Sequence, residues 1–271
     1  MIPNTVKTIE EGAIFACSKL TELFIPFVGQ WDTTITGRNT LFGFIFGNSG
    51  MGITGQYYKE DDILSSPEKF GIPYNLTSVT ITSSTLIHYG AFSNCSRIKR
   101  IILPTDLREI RTRAFCNCAS LEYIIIPNLV STIMDMAFYR CDALKEVYIP
   151  KGVKTIGSLA FRKENTTIIP DYYLEFENKA NIPETWGNGW PPYPSNIIYN
   201  SKRNSALTVE AFGDYGYEIT DATESDTFIP LVYNNKFVVS IGDNAFENEK
   251  IKELNLQKIV HIGDNALKNC I

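Results

Sequence analysis

A chain of 271 residues, 44% hydrophobic and 20% charged, has the balance of a folded globular protein and is long enough for one large or two modest cores. Its formal net charge is −5 and its lysines and arginines are scattered, so the basic footprint of a nucleic-acid binder is absent. No apolar run approaches the roughly 18 residues that cross a bilayer, and the first residues lack a basic start followed by an apolar core, so no membrane insertion or secretory leader is read here.

From the start of the chain, Pro3, Val6, Ile9, Ala13, Cys17 and Leu20 are followed by Leu23, Ile25 and Pro26. Residues 27–72 then change texture. They are rich in glycine and aromatics (Trp31, Phe42, Phe44, Phe46, Tyr57, Tyr58) and read as an insertion. At residue 73 the first frame returns and repeats. The pair Ala-Phe occurs at Ala91-Phe92, Ala114-Phe115, Ala137-Phe138 and Ala160-Phe161, always 23 residues apart. Four residues before each alanine stands an isoleucine (Ile87, Ile110, Ile133, Ile156), and four after it, in three cases, a cysteine (Cys95, Cys118, Cys141). Pro104, Pro127 and Pro150 each follow an apolar-x-apolar pair. Several residue types sharing one period are a much stronger signal than any single motif.

Each part of the frame has a physical role. Apolar-x-apolar is a short strand with both apolar side chains inward, and proline, with no backbone donor, ends it. Leu107, Val130 and Val153, with the isoleucines that follow, supply a second extended piece. Ala-Phe-x-x-Cys-x-x-Leu closes the coil as a tight helical or turn segment. Stacked coils place like over like, so Phe92, Phe115, Phe138 and Phe161 form a ladder, with Phe246 at the same frame position later in the chain. A single coil cannot bury its own apolar side, so stability comes from its neighbours. The expected fold is a β-rich solenoid of short strands and short helical or turn segments per 23-residue coil, with two irregular insertions.

The second irregular stretch, 168–200, carries Trp186-Gly-Asn-Gly-Trp190-Pro-Pro-Tyr193 and reads as a closing segment. Beyond it, Ile241, Ala245-Phe246, Ile262, Ala266 and Cys270 resume the frame at a spacing of 21. Two domains are therefore expected: 1–200, with the insertion at 27–72 and the closing segment at 168–200, and 201–271, the start of a second, truncated array. The chain opens at Ile2-Pro3 in mid-repeat and stops at Cys270-Ile271 before its last coil is complete, as a piece of a longer protein would.

The unit Leu121, Ile124, Ile126-Pro127, Val130, Ile133, Ala137-Phe138, Cys141, Leu144 resembles the BspA-like leucine-rich repeat family. Residues 73–167 match that pattern continuously, and 1–26 and 227–271 match it in part. The aromatic insertion and the Trp-rich closing segment look like those of repeat proteins from gut Firmicutes. The resemblance implies a leucine-rich-repeat solenoid of a bacterial cell-surface or secreted protein, of which several are adhesins for host matrix proteins or other cells. The family's repeats carry no catalytic residues to transfer.

The remaining chemistry is sparse. Metal sites want clustered pairs such as C-x₂-C, and only Cys116-x-Cys118 comes near, without a second pair. The cysteines Cys17, Cys95, Cys118, Cys141 and Cys270 read instead as a buried ladder of reduced thiols acting as small hydrophobes, with Cys116 pointing elsewhere. His88 and His261 have no recurring nucleophile or carboxylate beside them, and the pairs Glu10-Glu11 and Asp61-Asp62 read as solvated turns. No catalytic, metal or cofactor site is expected. The candidate ligand-binding residues are the aromatics outside the frame: Trp31, Tyr57, Tyr58, Trp186, Trp190 and Tyr193. Tryptophan in a closing segment more often covers the end of a core, which is the favoured reading of that pair. The expected function is a non-enzymatic recognition or adhesion module holding a protein partner, such as host extracellular matrix, across the solenoid face. The alternatives are a glycan-binding module using the inserted aromatics, and a passive spacer.

Overall fold

The computed structural model describes residues 1–28, 37–48, 55–58, 68–165, 167–176, 179–186, 190, 197–199, 207–212, 216–222, 227–228, 232–233, 236–248, 251–253 and 259–270. The chain divides into two compact units, Met1–Tyr199 and Asn200–Ile271.

The first unit is a solenoid with three hydrogen-bonded sides. One side is made by the apolar-x-apolar strands. Glu22–Ile25, Ser78–Ile81 and Arg100–Ile102 pair in parallel, and so do Tyr123–Ile125, Glu146–Ile149, Asp171–Leu174 and Ile197–Tyr199. The two sets are bridged where the Glu122 N–H donates to the Lys99 carbonyl at 3.1 Å. Register aligns Val79 with Ile101, and Ile124 with Val147 and Tyr172, all turned into the core. The second side is a four-strand parallel sheet of two-residue rungs, Leu86–Ile87, Glu109–Ile110, Thr132–Ile133 and Thr155–Ile156, whose isoleucines stack in register.

Turns, not helices, make the third side. The N–H groups of Phe92, Phe115 and Phe138 donate to the carbonyls of Ala114, Ala137 and Ala160 on the next coil, each at 2.7 Å. Two positions per coil are left-handed. One precedes the alanine (Gly90 φ 61°, Arg113 57°, Met136 55°, Leu159 57°), and the other precedes the cysteine (Asn94 63°, Asn117 60°, Arg140 59°). A left-handed residue every few positions cannot continue a right-handed helix, which is why the segment resolves into turns. Asparagine and glycine take this backbone readily, whereas other L-residues cost about 1–2 kcal/mol there. Met136→Gly is therefore expected to raise stability by about 0.5–1 kcal/mol, read as a higher denaturation midpoint at unchanged slope. An unchanged or lowered midpoint would show that methionine packing outweighs the strain.

Inside, Phe92, Phe115, Phe138 and Phe161 stack with ring centroids 5.3, 4.9 and 5.0 Å apart and near-parallel planes. The stack gains a rung from outside the repeat. Phe42, in the inserted 3-10 helix Phe42–Phe46, lies 4.8 Å from Phe92, and its N–H donates to the Ala91 carbonyl at 2.8 Å, as a repeat phenylalanine would. On the far side of this helix, the N–H groups of Gly12 and Ile14 donate to the carbonyls of Phe44 and Ile45. The insertion is thus a layer between the first coil and the next on the turn side, while the strands Glu22–Ile25 and Ser78–Ile81 pair directly on the strand side. The hairpin Gly55–Tyr58 with Glu68–Gly71 locks the layer in place. Its fully buried Gln56 accepts from the Gly43 N–H at 2.7 Å and donates through Nε2 to the carbonyls of Gly90 (3.0 Å) and Ala91 (2.7 Å). Gly43 is required there, because an added Cβ would stand 2.5 Å from the Phe70 Cβ.

The cysteine frame has a bonding role as well as an apolar one. Cys118 Sγ donates to the Phe92 carbonyl at 3.1 Å, and Cys141 Sγ to the Phe115 carbonyl at 3.2 Å, each tying its coil to the preceding one. Cys95, Cys118 and Cys141 are buried, but Cys17 is exposed and Cys270 half-buried, so the expected buried ladder of five holds for three. Cys17 belongs to the first coil, which has no described coil on its outer side. Cys116 is buried too. All six cysteines are free thiols.

Burial pushes the thiols of Cys95, Cys118 and Cys141 above the usual value of 9.0. The folded state therefore holds these protons more tightly than the unfolded chain, whose thiols titrate near 9.0. Their contribution is fully present below that pH and is lost as the pH rises above it through the folded-state values. Stability is expected to fall above about pH 9, and thiol reagents at neutral pH should modify Cys17 quickly and these three only on unfolding. Rapid labelling of Cys118 or Cys141 in the native state would contradict the buried ladder.

The second unit has its own core of Ile219, Val238, Ile241, Ala245, Phe246 and Ala266. Leu207–Phe212 and Gly216–Ala222 form an antiparallel pair, after which Lys236–Ile241 and His261–Ile262 add in parallel. The frame bonds recur here. The Phe246 N–H donates to the Ala266 carbonyl at 2.8 Å, and Cys270 Sγ to the Phe246 carbonyl at 3.0 Å.

Candidate recognition surface

On the strand side of the first unit, alternation that turns one residue inward turns the next one out. Two outward rows result. One runs Glu22, Ser78, Arg100, then Tyr123, Glu146, Asp171, and the other Phe24, Thr80, Ile102, then Ile125, Tyr148, Tyr173. The second row is unusual for a solvent face, since it is mostly apolar and aromatic. Phe24, Ile102, Ile125, Tyr123 and Tyr173 are half-buried, and Tyr148 is covered by Tyr173, whose ring stacks on it at 4.6 Å with planes 6° apart.

Charge divides the first row in two. At its start, Arg100 Nη2 donates to Glu22 Oε1 at 2.8 Å and Nε to Ser78 Oγ at 3.0 Å, while Ser78 Oγ donates to Glu22 at 3.1 Å. At its other end Glu146 and Asp171 face each other in register, and the strands Tyr123–Ile125, Glu146–Ile149 and Asp171–Leu174 contain no lysine or arginine. Tyr148 donates its hydroxyl to Glu146 Oε2 at 3.1 Å. Burial and these carboxylates together act on the tyrosines. Burial first, then Glu146 and Asp171, pushes the Tyr173 phenol up to about 12. Tyr148 is raised further for the same reasons, and Tyr123 is raised by burial against the pull of Arg100.

The turn side differs in character. Asn117 Nδ2 donates to Asn94 Oδ1 at 2.9 Å, Arg140 pairs with Glu164, and the Tyr139 hydroxyl donates to Glu164 at 2.7 Å, so polar side chains satisfy one another there.

Of the six aromatics singled out by sequence, four lie among the described residues. Trp31 and Tyr193 lie outside the described residues, and the backbone of Tyr57 and Tyr58 runs in the hairpin strand Gly55–Tyr58. Trp186 is only 7% exposed, and its indole N–H donates to the Val153 carbonyl at 3.3 Å. Its ring meets Phe176 and Trp190 edge to face at 5.5 and 4.9 Å, and Trp190 continues to Tyr172 and Phe161, so this cluster packs onto the last rung of the phenylalanine stack. The outward tyrosines and isoleucines of the strand side were the residues missed. Their signal was the middle residue of each apolar-x-apolar pair, where Ile102, Ile125 and Tyr148 stand in place of a polar side chain.

Among the described residues, no group of three His, Cys, Asp or Glu side chains could hold a metal ion, and no helix is long and apolar enough to cross a membrane. His88 is buried and His261 exposed. Glu11 pairs with Arg38 at 2.7 Å, and Asp61 and Asp62 lie outside the described residues.

A model of the BspA type leucine-rich repeat region matches residues 67–180 and 223–271, in six copies. Among solved structures, the chain is similar to a leucine-rich repeat protein of T. pallidum at 33% identity, over 43% of this chain and 62% of that one, with a TM-score of 0.36. It is also similar to a leucine-rich cell surface protein of Faecalibacterium prausnitzii at 24% identity, over 73% and 59% of the two chains, with a TM-score of 0.34. A third similarity, to a leucine-rich repeat protein of Bacteroides ovatus, has 16% identity over 79% and 71% of the two chains and a TM-score of 0.27. The chain thus spans less than two thirds of the first two structures' length. No curated protein matches it.

Proposed function

The chain belongs to the family of BspA-type leucine-rich repeat proteins, and from that membership we propose that it is a non-enzymatic recognition module of a cell surface, holding a protein partner against the strand side of its first unit. The observation that carries this reading is the outward row Ile102, Ile125, Tyr148, Tyr173, an apolar and aromatic stripe on a rigid sheet. Aromatic anchors on a preordered surface are the usual energetic centre of a protein interface. Host extracellular matrix proteins are the first partners to test.

The purified chain, screened side by side against matrix proteins and a glycan array, is expected to give a saturable protein hit. Ile125→Glu should abolish that hit without moving the melting curve, because the side chain points outward. Protein binding indifferent to Ile125→Glu and Tyr173→Ala would move the site off this face. A glycan hit lost in a folded Trp190→Ala variant would favour the sugar-binding reading. The burial of Trp186 against Val153 and Phe176 supports the end-cover role, for which Trp186→Ala lowers stability instead.

A further inference from the structure

We propose that Cys118 and Cys141 are a disulfide site, a pair of stacked thiols that links two adjacent coils when the folding chain meets a small disulfide such as oxidised glutathione. This goes beyond the recognition reading and does not depend on it. The first observation is position. The two cysteines hold the same place in successive coils, 23 residues apart, and the coil spacing beside them is fixed twice over. Three residues earlier the Phe115 and Phe138 rings stand 4.9 Å apart, and one residue earlier the Asn117 N–H donates to the Tyr139 carbonyl at 2.8 Å. Coils so spaced put the paired Cα atoms about 5 Å apart, inside the roughly 4.4–6.8 Å that a disulfide spans.

The second observation is direction. Cys141 Sγ reaches the Phe115 carbonyl at 3.2 Å, on the coil that carries Cys118, so its sulfur already points across the gap. The two thiols are also hydrogen-bonded to each other. Burial raises both, and that bond then lowers Cys118 and raises Cys141, which makes Cys141 the donor and Cys118 the readier thiolate. The third observation is that linking them orphans no carbonyl. The Phe115 carbonyl, relieved of the Cys141 thiol, keeps the Cys118 N–H at 3.2 Å. The Phe92 carbonyl, relieved of the Cys118 thiol, keeps the Cys95 N–H at 3.0 Å. Cys95 is the rival partner for Cys118. Its coil lies further off, with Phe92 and Phe115 5.3 Å apart, and its hydrogen bond to Cys118 comes from the backbone rather than the thiol.

The exchange takes place before the coils close over the sulfurs. The Cys118 thiolate attacks one sulfur of glutathione disulfide, whose S–S bond breaks, and one glutathione leaves as a thiolate. The Cys141 thiolate then attacks the Cys118 sulfur of the mixed disulfide and expels the second glutathione. Two protein thiols are oxidised, one glutathione disulfide is reduced to two thiols, and the two protein protons pass to the leaving thiolates.

To test this, the reduced full chain is unfolded and refolded in a mixture of oxidised and reduced glutathione. Free thiols are trapped in acid denaturant and the links mapped by mass spectrometry, beside Cys118→Ala and Cys116→Ala. The Cys118–Cys141 link is expected in about tenfold excess over Cys95–Cys118, absent from Cys118→Ala and retained in Cys116→Ala. The linked wild type should denature at a higher midpoint, and a reductant present during unfolding should remove that shift. A chain that stays unlinked, a dominant link through Cys95, Cys116 or Cys17, or a linked form with a lowered midpoint would each overturn the proposal. Mapping of the wild type decides the question even where a variant does not fold.

Discussion

Phe138→Ala is expected to destabilise the first unit by about 3–5 kcal/mol, measured by denaturant unfolding. The ring is fully buried, flanked by Phe115 at 4.9 Å and Phe161 at 5.0 Å with planes 8° and 4° from parallel. Truncation removes the transfer free energy of one phenyl group and strips two neighbouring rings of a partner face. The hydrogen bonds on three sides hold the coil spacing, so the cavity cannot collapse. Because each coil touches only its neighbours, the damage should stay local, with hydrogen exchange accelerated most in the coils on either side. A loss under about 1 kcal/mol would mean that the ring is not part of a packed interior.

The second large effect is expected at Gln56. Gln56→Leu keeps much of the side-chain volume but leaves the buried Gly43 N–H without its acceptor and the Gly90 and Ala91 carbonyls without their side-chain donor. Each buried polar group so orphaned costs about 1–3 kcal/mol, and the Ala91 carbonyl keeps one bond from the Phe42 N–H, so a net loss of about 2–4 kcal/mol is expected. Gln56→Glu separates polarity from volume. It retains the acceptor for Gly43 but aims a carboxylate at two carbonyls, and it should be as harmful as leucine or worse. If both variants unfold at the wild-type midpoint, the hairpin does not clamp the insertion.

The repeat made most of the first unit legible in the sequence, because a period of 23 residues names its inward positions several times over. Phe115 and Phe138, Ile110 and Ile133, and Cys118 and Cys141 could each be placed from their copies. Phe42 could not. It sits in a stretch with no frame, and its stacking partner Phe92 is 50 positions away, so nothing local marks it as a rung. Gln56 is harder still, one amide in a short strand whose partners are backbone atoms of two other segments. Cys17 matches the frame but is exposed, in a first coil that has no described coil on its outer side, although Ile9 of the same coil is buried. The outward row of the strand side was legible in principle, since strand alternation already assigns Ile102, Ile125 and Tyr148 to the outside. What the sequence hides is that Tyr173, from the irregular segment after the last full repeat, extends the same row and stacks on Tyr148.

The hydrogen bonds that join successive coils all run along the axis of the stack, which governs how the first unit answers tension. Pulled from its ends, it opens like a zipper rather than by sliding strands past one another, since the load falls on one rung at a time. Each regular coil that detaches frees 23 residues, about 75–80 Å of extended chain, before the next rung is loaded. The layer around Phe42 changes this at one place, where the first coil grips the inserted helix through Gly12 and Ile14 and the helix in turn grips the following coil. The first unit can thus lengthen in discrete steps under load, and the coils nearer its centre keep their shape while the outermost give way.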